Sequence, residues 1–200
     1  MDVDRKPRSD GEETRASVLD AADRLFAANG FDGTSLAAIS ADSGVSPPLI
    51  KHHFGGKEEL WREAKRRVVQ RFVAAQALPD PDGPLDEATV RDAFHAYFDY
   101  ARANPAIIRF GLWVRLRGEL DDWGGEAEVF GTMVVLVEQG QRQGLLRADV
   151  PAFDLLMAFG GMVRMWVLDQ PHFSLLLGED PDDDARAEAY FDNALRLIRP

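Results

Sequence analysis

Residues 34–54 read TSLAAISADSGVSPPLIKHHF, and the spacing within this stretch predicts two short helices joined by a tight turn. Thr34 is placed as a cap of the first helix, since a hydroxyl can accept from the unpaired amides of the next turn. Leu36 and Ile39 then share one face of it. Gly44 follows Ala41-Asp42-Ser43 at the point where that helix must stop, because glycine takes the left-handed conformation without a Cβ clash. Ser46 is the expected cap of the second helix, and Pro47 sits at its first position, where a missing amide costs nothing. Val45, Leu49 or Ile50, and Phe54 are left to pack inward. A pair of this kind lays its second helix in the major groove of duplex DNA. Ser46, Pro47, Pro48, Lys51 and His52 are therefore the expected readers.

The flanks extend the pattern. Within residues 14–29, Val18, Ala22, Leu25 and Phe26 form an apolar stripe at helical spacing, and Gly30 closes the helix with Phe31 placed to fold back on it. Gly55-Gly56 break the chain after Phe54. Lys57-Glu58-Glu59-Leu60 then opens a new helix, with two carboxylates in its first turn favourable to the helix dipole.

Taken in order, Val18-Leu19-Asp20-Ala21-Ala22, Leu25-Phe26, Asn29-Gly30-Phe31, Thr34-Ser35, Ile39, Gly44-Val45-Ser46, His52-His53-Phe54 and Lys57-Glu58-Glu59-Leu60 resemble the N-terminal domain of the TetR family of transcriptional regulators. The resemblance spans roughly a quarter of the chain, and many spaced positions agree in order. It implies a DNA-contacting set of Thr34, Ser35, Ser46, Pro47, Pro48, Lys51, His52, His53 and Lys57. The chain departs from the family at three points. Lys51 stands where a tyrosine is common, exchanging an aromatic contact for a charge that can meet a phosphate or a guanine edge. Pro47-Pro48 replace a small or polar pair and remove two donors, and Gly56 replaces a usual cap. A DNA site is expected, with an operator sequence of its own.

Composition bounds this reading. The 200 residues suffice for a small DNA-reading module and a larger second domain. With no cysteine, disulfides, thiolate nucleophiles and cysteine-based zinc sites are excluded. No apolar run approaches a membrane span, and Met1 to Glu13 lack a signal-peptide core, so a cytoplasmic protein without membrane partners is expected. The net charge of -11 runs against a basic DNA footprint. The acidity is unevenly placed, however: residues 1–67 hold 11 Lys and Arg against 12 Asp and Glu, and the remainder 12 against 22. Arg5-Lys6-Arg8, Lys51, Lys57 and Lys65-Arg66-Arg67 are local clusters able to lie near phosphates.

Everything after Phe54 reads as helix. An amphipathic helix over 57–77 carries Leu60, Ala64, Val68, Phe72 and Ala75 on one side, followed by an acidic, proline-rich loop over 77–84. Further helices are expected over 86–103, from Asn104-Pro105 to about Gly118, over 124–143, over 152–169 and over 184–198. The fold class is all-α: a flexible tail (1–13), a three-helix helix-turn-helix domain (14–56), and a helical effector-binding and dimerisation domain (57–200).

The last two helices are the expected homodimer interface, through Phe159, Gly160, Val163, Ala187, Tyr190, Phe191, Ala194, Leu195 and Ile198, as a four-helix arrangement. Such a dimer reads two half-sites of a palindromic operator. By resemblance, Phe72, Phe94, Tyr97, Phe98, Arg109, Phe110, Trp113, Met133, Val137, Met162 and Trp166 lie on helices that surround a pocket for a small, mainly apolar effector. Arg109, Arg115, His95 and Arg164 are the polar anchors available to it. A regulator filled by these aromatics, with no effector, is the alternative.

An enzyme fits poorly. His52 and His53 are adjacent and diverge by about 100° on a helix, and His95 and His172 are isolated in sequence. Glu119, Asp121, Asp122 and Asp182-Asp183-Asp184 read as solvated loops and helix starts, and no phosphate-cradling loop or nucleophile motif occurs. No metal or cofactor is expected.

Overall fold

A computed structural model describes residues 10–76, 78–81, 83–119, 125–180 and 182–200. Among the described residues there are nine α-helices and no strand. They are α1 (Asp10–Asn29), α2 (Leu36–Ser43), α3 (Pro47–Phe54), α4 (Lys57–Ala75), α5 (Glu87–Ala103), α6 (Pro105–Leu116), α7 (Glu126–Arg142), α8 (Ala152–Leu177) and α9 (Asp184–Ile198). The chain divides into two compact units. The first comprises the described residues of Met1–Val68 and Arg109–Trp123, the second those of Val69–Ile108 and Gly124–Pro200. The division falls inside α4 and inside α6, whereas the sequence placed it at Gly56. The reason is burial: Leu60, Trp61, Ala64 and Val68 turn their side chains into the core of the first unit.

Phe26 is the centre of that first core. The Trp61 indole meets it edge-on at 4.9 Å, and Phe110 stacks on Trp61 at 4.6 Å. Val18 and Ala22 of α1, Ile39 of α2, and Ile50 and Phe54 of α3 are buried with them. Gly30 ends α1 at φ 69°, and a Cβ there would lie 2.8 Å from the Trp113 ring. Only glycine meets both demands.

Three local expectations are corrected. α1 begins at Asp10, so residues 10–13 are helical; residues 1–9 of the expected tail lie outside the described residues. Glu12 and Glu13 in its first turn suit the helix dipole. Ser35, not Thr34, caps α2: its hydroxyl accepts from the Ala38 amide at 3.0 Å. Thr34 is 2% exposed, and its hydroxyl lies 2.8 Å from the Gly30 carbonyl and 3.1 Å from that of Leu25. Gly44 does take the left-handed conformation, φ 71°, that the sequence requires of it. Ser46 occupies the cap position of α3 without a side-chain cap bond, and Pro47 is the first helical residue.

In the second unit, Phe98, Phe159, Trp166 and Phe191 anchor a continuous apolar core. Across its α5 and α9 run three polar rungs: the ion pairs of Arg91 with Asp192 and of Arg102 with Asp184, each at 2.6 Å, and between them His95 Nε2 at 3.1 Å from Glu188. α8 continues to Leu177 through Pro171, eight residues beyond the expected end. Proline there removes a backbone donor, while the Gln170 amide bonds Ser174 Oγ at 2.8 Å. Ala77 and Asp82 of the expected acidic loop lie outside the described residues.

The expected interface set is also corrected. Phe159, Val163, Ala187, Phe191, Ala194, Leu195 and Ile198 are all at least nine-tenths buried within the protomer's own core. Tyr190 is half-buried, and its hydroxyl donates to the Met162 carbonyl at 2.9 Å. Gly160 is half-buried beside Tyr97 and Arg164. The stripe of α9 is covered by the protomer's own α5, with His95 and Phe98 against Phe191. The opposite side of α8 exposes Phe153, Met157, Met165, Phe173 and Leu175–Leu177, and α9 exposes Leu197.

Candidate nucleic-acid interface

The first unit presents α3 as an exposed helix held from below. Ile50 and Phe54 are buried, four residues apart, which pins one side of the helix. Ser46, Pro47, Pro48, Leu49, Lys51 and His52 are exposed on the rest. Three of the expected DNA-contacting residues, Ser46, Pro47 and Pro48, therefore stand together at the start of α3, and Lys51 and His52 follow one turn on. The pair of prolines removes backbone donors there, so hydrogen bonding to a polyanion falls to Ser46, Lys51 and His52.

The other expected contacts divide. Ser35 is exposed at the start of α2, where its hydroxyl is engaged with the Ala38 amide. His53 is half-buried, and its carbonyl accepts from Arg15 at 3.1 Å. The Lys57 ammonium lies over the Phe31 ring at 4.1 Å. Thr34 is removed from the set by burial, since a side chain wholly covered by protein with its hydroxyl spent on main-chain carbonyls cannot touch a duplex.

Between α4 and the segment that follows α6 lies a network that sequence spacing does not reveal. Glu119, expected in a solvated loop, accepts from the Trp61 indole at 3.0 Å, from Arg117 Nε at 2.7 Å and from the Lys65 ammonium. Burial pushes the Glu119 carboxyl up, but the hydrogen bonds from Lys65, Arg117 and Trp61 outweigh it and hold the group below its ordinary range. Lys65 is only 4% exposed. The Arg117 guanidinium also lies over the Phe31 ring at 3.8 Å. Lys65, expected near phosphates, is withdrawn from the surface; its spacing of four from Trp61 and three from Val68 was the available signal, because it sets the cation on the buried side of α4, where it demands a carboxylate. Asp121 and Asp122 lie outside the described residues.

The expected pocket residues also separate. Arg109, Phe110 and Trp113 belong to the first unit, where Phe110 packs on Trp61, Trp113 packs against Gly30 and Arg109 is exposed. In the second unit, Phe72 meets Tyr97 edge-on at 5.9 Å, Phe94 meets Phe159 at 4.6 Å and Phe98 meets Trp166 at 6.2 Å. Val137 is buried in the same core, with Met162 packed against it, and Met133 is half-buried on α7.

Among the described residues, His95, Asp99 and Glu188 bring possible metal-ligand atoms within 4.8 Å of one another. Both ring nitrogens of His95 already face carboxylates: Nδ1 lies 2.9 Å from Asp99 and Nε2 3.1 Å from Glu188. That arrangement is the middle rung of the α5–α9 ladder. No described helix is long and apolar enough to cross a membrane.

Proteins similar to this chain include named transcriptional regulators. Residues 18–64 match the family model of bacterial regulatory proteins of the tetR family, and residues 92–196 match that of the tetracyclin repressor-like C-terminal domain. The HTH-type transcriptional repressor SCO4008 of Streptomyces coelicolor is 26% identical, over 94% of this chain and 97% of its own. The HTH-type transcriptional repressor NicS of Pseudomonas putida is 28% identical, over 94% and 93%. The solved structure of SCO4942 from Streptomyces coelicolor superposes with a TM-score of 0.76 at 24% identity, covering 94% of this chain and 99% of that one. That of the ketosteroid transcriptional regulator KstR2 of Mycobacterium tuberculosis gives 0.69 at 18%, covering 98% and 97%. With a helix-turn-helix head and a matched C-terminal helical domain, the chain belongs to the TetR family of transcriptional regulators.

Proposed function

We propose that this regulator is a cytoplasmic repressor that binds a palindromic operator as a homodimer and leaves it when a small, mainly lipophilic effector binds the second unit. The observation that carries the reading is the exposed face of α3, where Ser46, Pro47, Pro48, Lys51 and His52 stand clear of a buried Ile50–Phe54 anchor. Ser46, at the end of the helix that enters a groove, and Lys51, one turn further on, supply hydrogen-bonding and charged groups. SCO4008 and NicS, both named repressors, support repression over activation.

One short helix reads few base pairs, which is the reason for a two-fold pair. The exposed face of α8 and α9 supplies the surface for it: Met157 and Met165 offer apolar area, and Ala158, Gly161, Ala185 and Ala189 let helices approach closely. An effector acts by its differential affinity for the DNA-competent and DNA-incompetent states. No step of this cycle needs a catalytic group.

Selection of duplexes from a random pool by the purified protein tests the reading. A palindromic consensus with steep salt dependence is expected. Lys51→Ala should weaken binding and lower the salt slope by about one. A pool that shows no enrichment refutes the DNA-binding reading. The effector part is tested separately, by screening neutral lipophilic compounds for a raised melting temperature together with loss of operator binding.

A further inference from the structure

We infer that the effector is an amphiphilic anion, an apolar or aromatic body carrying a carboxylate, and that Arg164 of α8 receives the anionic end. The inference rests on the effector reading above and adds a ligand class to it.

Four polar anchors were available in the sequence, and three are accounted for. Arg109 and Arg115 are exposed, and the Arg115 guanidinium turns back to the Gly111 carbonyl at 3.0 Å. Both nitrogens of His95 are taken by Asp99 and Glu188. Arg164 is half-buried, and among the described residues it meets no carboxylate within ion-pairing distance. In the same unit Arg91 and Arg102 each meet an aspartate at 2.6 Å. An arginine left without a carboxylate stands out in residues 68–200, where acidic residues outnumber basic ones 22 to 12. A half-buried guanidinium keeps five donors to satisfy with less than full access to water.

Its position is equally specific. The Cβ position of Gly160 lies 3.6 Å from Arg164 Nη1 and 3.8 Å from the Tyr97 hydroxyl. The guanidinium therefore lies one turn back along α8, on the side that faces α5, with a phenol oxygen on the other flank of the same glycine. The absence of a side chain at 160 leaves room between these two polar groups. Next to them the Tyr97 ring lies 5.9 Å from Phe72 and 6.3 Å from Phe159, and Phe72, Phe94 and Tyr97 each keep part of their surface uncovered. An apolar body laid on these rings places its carboxylate at Arg164, whose planar fork matches that group in two parallel hydrogen bonds.

The test compares acids with alcohols of the same skeleton by calorimetry on the full-length protein at neutral pH: 2-naphthoate against 2-naphthalenemethanol, and octanoate against octan-1-ol. At least one acid should bind about tenfold tighter than its alcohol, as a charge-assisted hydrogen bond predicts. Arg164→Met should erase the difference, and Arg164→Lys, which keeps the charge, should retain part of it. The acid-to-alcohol ratio in the unaltered protein needs no variant, so a poorly folding substitution does not remove the test. Acids that bind no better than alcohols, or not at all, overturn the inference, as does a preference that survives Arg164→Met. Neutral hits in the lipophile screen alongside silent acids would keep the effector reading and discard only the anionic class.

Discussion

Trp61 and Glu119 stand 58 residues apart in the chain, yet the indole N–H of one donates to both carboxylate oxygens of the other, at 3.0 and 3.1 Å. Lys65 and Arg117 complete the set, so a single carboxylate at the end of α6 ties together two side chains of α4 and one of its own segment. This is how the first unit incorporates residues from beyond its helix-turn-helix. Glu119→Gln removes the charge that Lys65 needs. Urea unfolding should register a loss of about 2–3 kcal/mol, less than for a fully buried pair because Glu119 retains some solvent contact.

The same carboxylate makes a pH prediction. Its folded form ionises more readily than the ordinary value of 4.5, so the native state holds the proton less tightly than the unfolded chain. Its stabilisation is fully present above pH 4.5 and is lost as pH falls through the folded value. The stability gap between the unaltered protein and Glu119→Gln should therefore narrow on acidification below that point, read from urea midpoints at stepped pH. A gap that widens in acid would contradict the assignment.

Gly30 and Gly44 have nearly the same left-handed backbone, φ 69° and 71°, but different surroundings. A Cβ at Gly44 meets nothing within 4 Å, whereas one at Gly30 falls 2.8 Å from the Trp113 ring. Gly44→Ala should cost about 1 kcal/mol from backbone strain alone. Gly30→Ala should cost more, since the aromatic packing must also shift. Thermal melts of the two variants compare them directly.

Thr34 and Ser35 exchange the roles that spacing suggests. Ser35→Ala should cost about 1 kcal/mol through the lost α2 cap. Thr34→Val keeps the shape but removes the one hydroxyl proton that the Gly30 and Leu25 carbonyls share, costing about 1–2 kcal/mol. Operator affinity of the folded Thr34→Val protein should stay within about twofold, as a buried residue makes no direct contact. A larger loss, measured well below the melting temperature, would put Thr34 back at the interface.

Phe191 and Met165 separate the core from the proposed interface. Phe191 is fully buried and Met165 is 51% exposed. Phe191→Ala should destabilise the protomer by about 3–5 kcal/mol. Met165→Glu should leave the helical signal intact while light scattering shows the dimer dissociating. Retention of the dimer by Met165→Glu would move the interface elsewhere.

Much of the reading head was legible because its signals are local. Gly44, Pro47 and the Ile50–Phe54 spacing act within a turn or two of themselves, and propensity, capping and periodicity are short-range physics. The misplacement of Thr34 shows the limit even there: two adjacent hydroxyls are equivalent in sequence, and which becomes the cap depends on whether the other finds a carbonyl to satisfy, as Thr34 does at Gly30 and Leu25. The pocket residues show a wider limit, since Phe110 and Trp113 share a helix face by spacing just as Phe94 and Phe98 do, but belong to the first unit.

The sequence by itself determined the all-helical class, the helix-turn-helix, the exposed and buried sides of α3 and the family, because each is written in spacings of a few residues. Only the tertiary structure decided that α4 and α6 are shared between units, that Glu119 is an internal partner, and that the apolar stripe of α9 faces its own core. The physical reason is that periodicity states which side chains share a face of a helix, whereas what covers that face is settled by helices packed from distant parts of the chain.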